Sequence, residues 1–129
     1  MSYIMNLGFF ANFKGGDSVL LDGSPEEISH LANHIQEFVD SGIERSHIND
    51  FARVRESDNV KLYLSRDLIR NDSEFQWKCS DDDAKAIREK LMALASATSG
   101  HQYFDLFNSK AQLNVSVGEY GRAWWEKHS

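Results

Sequence analysis

Two histidines, His30 and His34, have the spacing that comes closest to a chemical site in this sequence. Residues four apart lie on one side of a helix, where two imidazoles can bind a single zinc ion. A zinc protease helix carries a glutamate directly after its first histidine, and Leu31 occupies that position here. The two histidines also fall outside the apolar stripe of their segment and near Glu26 and Glu37. A solvated polar face therefore explains them better than a metal site, and we predict no bound metal.

The other reactive residue types also have structural explanations. Cys79 is the only cysteine and belongs to an alternating strand pattern, which indicates a buried small side chain and not a thiolate nucleophile. The aspartates at residues 81–83 follow a serine and precede an apolar helical stripe, so helix capping explains them better than acid and base catalysis. His47 and His101 each begin a β-rich run, which favours bonding to the backbone over a catalytic pair. The glycines at residues 15–16 precede no lysine-bearing helix, so we predict no phosphate loop, no cofactor and no enzymatic activity.

The elements that would position these residues are clearest in the second half of the chain. Ser80 begins a helix whose apolar residues recur at three- and four-residue steps as far as Thr98. Gly100 supplies the expected helix stop, because glycine adopts the left-handed conformation without a side-chain penalty. Two β-rich runs follow, at residues 103–107 and 112–117, with turn-forming residues between them. The sequence here predicts a capped helix followed by a β-hairpin.

The first half of the chain repeats the same order of signals. Ser24 begins a second amphipathic helix, and Gly42 ends it. Two β-rich runs follow, at residues 47–55 and 60–65, with a predicted turn at residues 56–59. These matches predict one domain, residues 1–129, that contains two pseudo-repeats of a strand-helix-strand-strand unit at about residues 18–66 and 74–120.

Three further strands complete the predicted fold. Residues 7–13 alternate with an aromatic core face, residues 18–21 follow a glycine turn, and residues 75–79 lead into the second helix. A polar connection at residues 66–73 joins the two halves. We predict an α+β fold, with an antiparallel sheet of about six to seven strands and two helices on one face of it.

Composition and charge narrow the class of protein. A chain of 129 residues with 41% hydrophobic and 26% charged residues is typical of a soluble globular domain. No stretch approaches the roughly 20 apolar residues of a membrane span, and the apolar start lacks the features of a signal peptide. The single cysteine fits a reducing compartment, so we expect a cytoplasmic protein. The net charge of -6 argues against nucleic-acid binding and favours a basic partner.

Several surface residues are candidates for contact with such a partner. Carboxylates on the first helix would steer association, and aromatic residues would supply desolvated contacts. Strand alternation also directs Arg53, Arg55, Lys61 and Tyr63 outward. For Trp124 and the tryptophan after it, a latch packed over the end of the sheet is favoured over an exposed anchor. The candidate partner-binding residues are Glu26, Glu27, Glu37, Asp40, Tyr63, Tyr103 and Trp125.

The second unit also carries a family resemblance. Its capped helix, the run at residues 100–105, the strand at residues 113–117 and the ending Glu119-Tyr120 before two tryptophans resemble small bacterial immunity proteins of polymorphic toxin systems. The resemblance implies an α+β protein that binds and blocks a cognate toxin and has no catalytic activity. It assigns no toxin-contact residues.

Two other classes of function stay open at this point. One is a self-associating structural or regulatory module that uses the outer sheet face or an edge strand, so that the protein would be a weak homodimer and not a monomer. The other is a small metal-dependent hydrolase built on His30, His34 and a carboxylate.

Overall fold

The computed structural model describes residues 5–13, 15–55, 58–66, 74–107 and 109–128. Within these residues the chain forms eight strands and three α helices, which confirms the α+β class. Most of the predicted connection at residues 66–73 and half of the predicted turn at residues 56–59 lie outside the described residues. The strands are β1 (Met5–Phe13), β2 (Gly16–Gly23), β3 (Arg45–His47), β4 (Ala52–Val54), β5 (Leu62–Ser65), β6 (Phe75–Lys78), β7 (Gly100–Asp105) and β8 (Gln112–Val117). The helices are α1 (Pro25–Ser41), α2 (Asp81–Ala95) and α3 (Arg122–Lys127), with a 3-10 helix, Ile48–Phe51, between β3 and β4.

Both long helices begin with a capping box. The Ser24 hydroxyl accepts a hydrogen bond from the amide of Glu27, whose carboxylate accepts one from the amide of Ser24 in return. Ser80 and Asp83 make the same exchange at the start of α2. Each box satisfies amides that have no partner inside the helix, which explains why the sequence located both starts.

The ends of the two long helices differ. Gly42 ends α1 in the left-handed conformation, with φ at 75°, as the sequence predicts. The second helix stops at Ala95, earlier than the predicted Thr98, with Ser96 as a right-handed C-cap. Gly100 therefore begins β7 and does not end the helix.

The strands form two sheets and not one. The main sheet has five strands in the order β4-β1-β2-β8-β7, and the small sheet has three in the order β3-β5-β6. The main sheet is mixed, because β1 pairs antiparallel with β2 while β2 pairs parallel with β8. The prediction of a single antiparallel sheet of six to seven strands is therefore wrong. Alternation shows which face of a strand is buried, and it carries no information about the direction of the neighbouring strand.

The single strand predicted at residues 47–55 is in fact three elements. Strand β3 pairs with β5 in the small sheet, and β4 pairs with β1 in the main sheet. The 3-10 helix carries the chain between the sheets, with Ile48 buried in the core. Asn49 fixes this crossing, because its amide donates to the carbonyl of Val60 and its Oδ1 accepts from the amide of Leu62.

The two halves of the chain exchange strands. Strands β3 and β5, which follow α1, pair antiparallel, and β6, which precedes α2, joins β5 in parallel. Strands β7 and β8, which follow α2, pair antiparallel, and β2, which precedes α1, joins β8 in parallel. Each of these two three-stranded sets therefore contains the two strands that follow one long helix and the strand that precedes the other long helix. The duplication remains a hypothesis, and this topology is what two intertwined copies of one unit would produce.

One hydrophobic core joins both sheets and both long helices. The fully buried residues include Ile28 and Leu31 of α1, Leu91 of α2, Leu21 of β2 and Leu64 of β5. Both long helices therefore pack with the same face of the main sheet, which we call the inner face. No helix in the described part of the chain is long and apolar enough to cross a membrane.

Arg66 joins the ends of the two long helices. Its guanidinium donates to the carbonyls of Phe38 and Val39 at the end of α1, and it forms a 2.7 Å ion pair with Asp81 at the start of α2. The carbonyls at a helix C-terminus carry partial negative charge, so a cation there is stabilising. The end of α1 and the start of α2 are thereby held side by side.

The backbone at Gly118 yields a prediction about stability. Its φ is +70°, and a Cβ built there would lie 2.1 Å from the carbonyl oxygen of Thr98. Gly118→Ala should therefore lower the free energy of unfolding by about 2 kcal/mol or more, measured by urea denaturation. Gly121→Ala is the matched control, because φ there is -81° and a Cβ meets open space. Equal destabilisation by the two substitutions would contradict the close approach.

Candidate functional site

The outer face of the main sheet is covered by α3. Trp125 is 8% exposed and packs with Phe10 of β1 and Leu20 of β2 in a second hydrophobic cluster. Trp124 lies against the ring of Phe10, with 5.2 Å between the ring centroids. The tryptophan pair is thus the latch that the sequence favoured. As a buried latch residue, Trp125 is not available as an exposed anchor for a partner.

A buried carboxylate lies beneath this latch. Asp22 is 5% exposed and accepts hydrogen bonds of 3.0 Å from the Trp125 indole Nε1 and from the Ser116 hydroxyl. Burial raises the pKa of Asp22 to about 6, and the charges of Glu27 and Glu119 add to this, whereas the two hydrogen bonds oppose it. The outer face of the sheet therefore contains an acid that titrates near neutral pH.

Sequence reasoning did not single out Asp22. It precedes a glycine and a helix-capping serine, which is a typical turn composition. The signal that could have identified it is strand alternation, since Ser18, Leu20 and Asp22 lie on one face of β2. An aspartate that lies on the same strand face as a buried leucine, two residues away, predicts a buried carboxylate that requires hydrogen-bond donors.

Next to the latch, Arg55 is held in one orientation. Its Nε and Nη2 donate to the two carboxylate oxygens of Asp58, at 2.9 and 2.8 Å. Its remaining hydrogen bonds go to the carbonyls of Phe9 and His128, and its guanidinium lies 4.0 Å from the ring centroid of Phe10. Arg55 therefore attaches the C-terminal helix to the edge of the main sheet, and its charge is balanced by Asp58.

An open cavity of about 610 Å³ lies between the edge of the main sheet and α3. Its walls contain three arginines, one glutamate and apolar residues. The residues that line it are Asn6, Arg53, Val54, Arg55, Arg122, Trp125 and Glu126. Its volume is in the range of small-molecule sites, which is roughly 300–1,000 Å³.

The candidate carboxylates of α1 lie on a different surface. Glu26, Glu37 and Asp40 are exposed on one side of the helix, and we call these three residues the acidic stripe. The positions between them on this side are exposed His30 and Asn33, and α1 contains no lysine or arginine. The fourth candidate, Glu27, is half-buried in the capping box and belongs to the helix start.

The two acids at the end of α1 oppose the helix dipole. Glu37 and Asp40 stand near the C-terminus, where backbone carbonyls carry partial negative charge and a carboxylate is unfavourable. Gln36 donates a 2.8 Å hydrogen bond to Asp40, which orients the carboxylate without neutralising it. The end of α1 therefore carries a negative charge that the helix itself does not favour.

The aromatic candidates do not join the acidic stripe. Tyr63 is 1% exposed, so the outward placement expected from alternation is wrong, because β5 is the central strand of the small sheet and is buried on both sides. Tyr103 is 38% exposed on the edge strand β7, and its partner Asn114 faces the outer side of the main sheet. The three acids therefore share one surface, whereas Tyr103 lies on the face opposite to the long helices.

The histidines do not form a metal cluster. His34 lies 2.8 Å from the Ser46 hydroxyl and edge-on to Phe51, and burial lowers its pKa. His30 is exposed on the neighbouring turn. Among the described residues, no group of three or more histidine, cysteine, aspartate or glutamate side chains could hold a metal ion.

The side chains of His47 and His101, which the sequence placed at strand starts, bond to carboxylates and not to the backbone. His47 is in fact the last residue of β3. His47 lies 2.7 Å from Glu74, and His101 lies 2.9 Å from Glu119. The expectation of backbone bonding at these positions is therefore wrong. The first pair links β3 to the residue before β6, and the second links β7 to the segment after β8. Both pairs therefore stabilise the contact between separate segments of the fold.

No protein-family model, curated protein or solved structure matches this chain. The resemblance to immunity proteins accordingly stays a hypothesis.

The burial of Cys79 predicts an unreactive thiol. Cys79 is 0% exposed, and burial raises its pKa to about 11, so the thiol is protonated at pH 8. The native protein should release almost no thiolate from Ellman's reagent over minutes, and full reaction should follow unfolding in guanidinium chloride. Rapid labelling of the native protein would show that Cys79, which directly follows β6, is accessible.

The raised pKa of Asp22 predicts a pH-dependent stability. The folded protein binds this proton more tightly than the unfolded chain, so the contribution of Asp22 falls as pH rises from about 4 through 6. Asp22→Asn can keep both contacts, because its Oδ1 accepts from Trp125 and its amide can donate to Ser116. The variant should therefore gain about 2 to 3 kcal/mol relative to the wild type between pH 4 and pH 7.5. If the difference in unfolding free energy between Asp22→Asn and the wild type did not change with pH, the raised pKa of Asp22 would be contradicted.

Proposed function

We propose that the protein binds a basic protein partner through the acidic stripe of α1 and acts without catalysis. Covering the active surface of that partner would inhibit it, and the resemblance of the second half suggests a toxin domain as the partner. The observation that carries this proposal is that Glu26, Glu37 and Asp40 lie along one exposed helix face and form no ion pair within the described part of the chain.

The position of these acids is the first support. Each carboxylate at a helix C-terminus costs roughly 0.3–1 kcal/mol when it is exposed. Exposed residues are free to be neutral or basic at no cost in packing. The hydrogen bond from Gln36 offsets part of the cost of Asp40, whereas Glu37 has no hydrogen bond or ion pair among the described residues, so helix stability does not explain it. Residues that lower the stability of the folded protein are expected where a binding surface requires them.

The rigidity of α1 is the second support. Its opposite side is fixed in the core by Ile28, Leu31, Ile35 and Phe38, all of which are at most 1% exposed. A charged surface on a fixed helix is already ordered before the partner arrives, so little conformational entropy is lost on binding. Carboxylates in fixed positions also raise the association rate with a basic surface, in a manner that salt screens.

An exposed apolar residue follows the acidic stripe in the chain. Ile43 is 48% exposed and follows Gly42, directly after the end of α1. Apolar side chains that are ringed by polar ones are the usual centre of a protein interface. Ile43 would therefore supply the desolvated contact, and Glu37 and Asp40 the charged rim.

The double variant Glu37→Gln/Asp40→Asn separates binding from folding. Removing charges that oppose the helix dipole should raise the unfolding free energy by about 0.5 kcal/mol, measured by urea denaturation. The same variant should bind its basic partner more slowly, and its association rate should depend less on salt. The matched control is Asp82→Asn/Glu89→Gln, which removes the same charge from exposed positions of α2. Equal loss of binding in the two double variants would place the interface elsewhere.

Cell rescue provides the functional test. If the upstream neighbouring gene encodes a large secreted protein with a variable C-terminal domain, co-expression of this chain should protect cells from that domain. Protection should weaken with the Glu37→Gln/Asp40→Asn variant and persist with the α2 control. Absence of rescue together with absence of a complex on size-exclusion chromatography would exclude a toxin partner.

A further inference from the structure

The cavity beside α3 has a charge opposite to that of the whole protein. The chain has a net charge of -6, yet Arg53, Arg55 and Arg122 all line this one cavity. Two of the three are already balanced. Arg55 is paired with Asp58 through two hydrogen bonds, and Arg122 forms a 2.8 Å ion pair with Glu126 one helical turn away.

Among the described residues, no carboxylate balances the charge of the third arginine, Arg53. It lies on the edge strand β4 beside Asn6 of β1, and it is exposed. Across the described residues, the Arg53 side chain makes no hydrogen bond or ion pair, so its guanidinium is available to a ligand. The cavity therefore presents one free positive charge on a fixed strand.

The other walls of the cavity determine the kind of anion that fits. Trp125 offers apolar surface, and Arg55 cannot turn away because Asp58 and two carbonyls hold its donors. One unbalanced cation matches a monoanion, whereas a phosphate dianion would leave a negative charge uncompensated. A guanidinium also pairs with a carboxylate through two parallel hydrogen bonds.

We propose that this cavity binds a small organic carboxylate with a flat apolar body, with Arg53 pairing with the carboxylate and Trp125 contacting the body. Asn6, which lines the cavity beside Arg53, is placed to donate a further hydrogen bond to the ligand. The site is independent of the acidic stripe, because the cavity lies on the outer face of the main sheet and α1 packs with the inner face.

Benzoate is a suitable probe, and benzamide is its neutral counterpart of the same shape. Titration of the full-length protein, followed by two-dimensional NMR of backbone amides and the Trp125 indole, should give saturable shifts at β4 and α3 with benzoate. Benzamide and inorganic phosphate should bind at least about tenfold more weakly, since charge-assisted hydrogen bonds contribute most of the affinity. Equal binding of benzamide, or benzoate shifts confined to other elements, would overturn the proposal.

The Arg53→Gln variant tests the assigned residue. It should weaken benzoate binding by about tenfold and leave the thermal midpoint unchanged, because Arg53 is exposed and makes no contact that the fold requires. Lys127→Gln is the matched control, since it removes one positive charge from the exposed side of α3 without lining the cavity. Benzoate affinity that is unchanged in Arg53→Gln, or reduced equally by Lys127→Gln, would overturn the proposal.

Discussion

The fold depends on two parallel strand pairs that bind the halves of the chain to each other. Strand β2 needs β8 at its side, and β6 needs β5, so neither half can complete its own hydrogen bonding alone. Strands β2 and β8 are distant in sequence, whereas β5 and β6 follow one another along the chain. The loop-closure entropy of the distant β2–β8 contact is lost before it forms. The protein should therefore fold as one cooperative unit. The hydrophobic core spans both sheets, so its packing energy also links the two halves of the chain.

The features that the sequence predicted are those fixed by local interactions. Ser24 and Ser80 act through amides three residues away, so their capping boxes can be recognised without knowledge of the fold. The bounds of β8 followed from its alternation and the turn before it. The division into two sheets could not be predicted, because alternation does not show which strands β5 pairs with. Tyr63 was misplaced for the same reason, since a central strand buried on both sides still alternates in composition.

The main sheet separates two surfaces with opposite electrostatic character. The long helices cover its inner face, and the acidic stripe of α1 lies on the far side of them. On the outer face, α3 and the cluster around Phe10 leave a cavity lined by arginines. A partner bound at the acidic stripe would thus be separated by the main sheet from a ligand bound in the cavity. The net charge of -6, taken alone, describes only the first of these surfaces.

Asp22 is a buried acid on the outer face of the main sheet whose pKa is also affected by a charge on α1. It lies at the end of β2 under Trp125, and the charge of Glu27 in the first turn of α1 helps to raise its pKa. A cation placed near that turn would offset Glu27 and favour the ionised form of Asp22. Linkage requires the converse as well, so ionised Asp22 would strengthen the binding of that cation. Since Trp125 donates to the Asp22 carboxylate, the protonation state at the end of β2 also sets the strength of the hydrogen bond that holds the C-terminal latch.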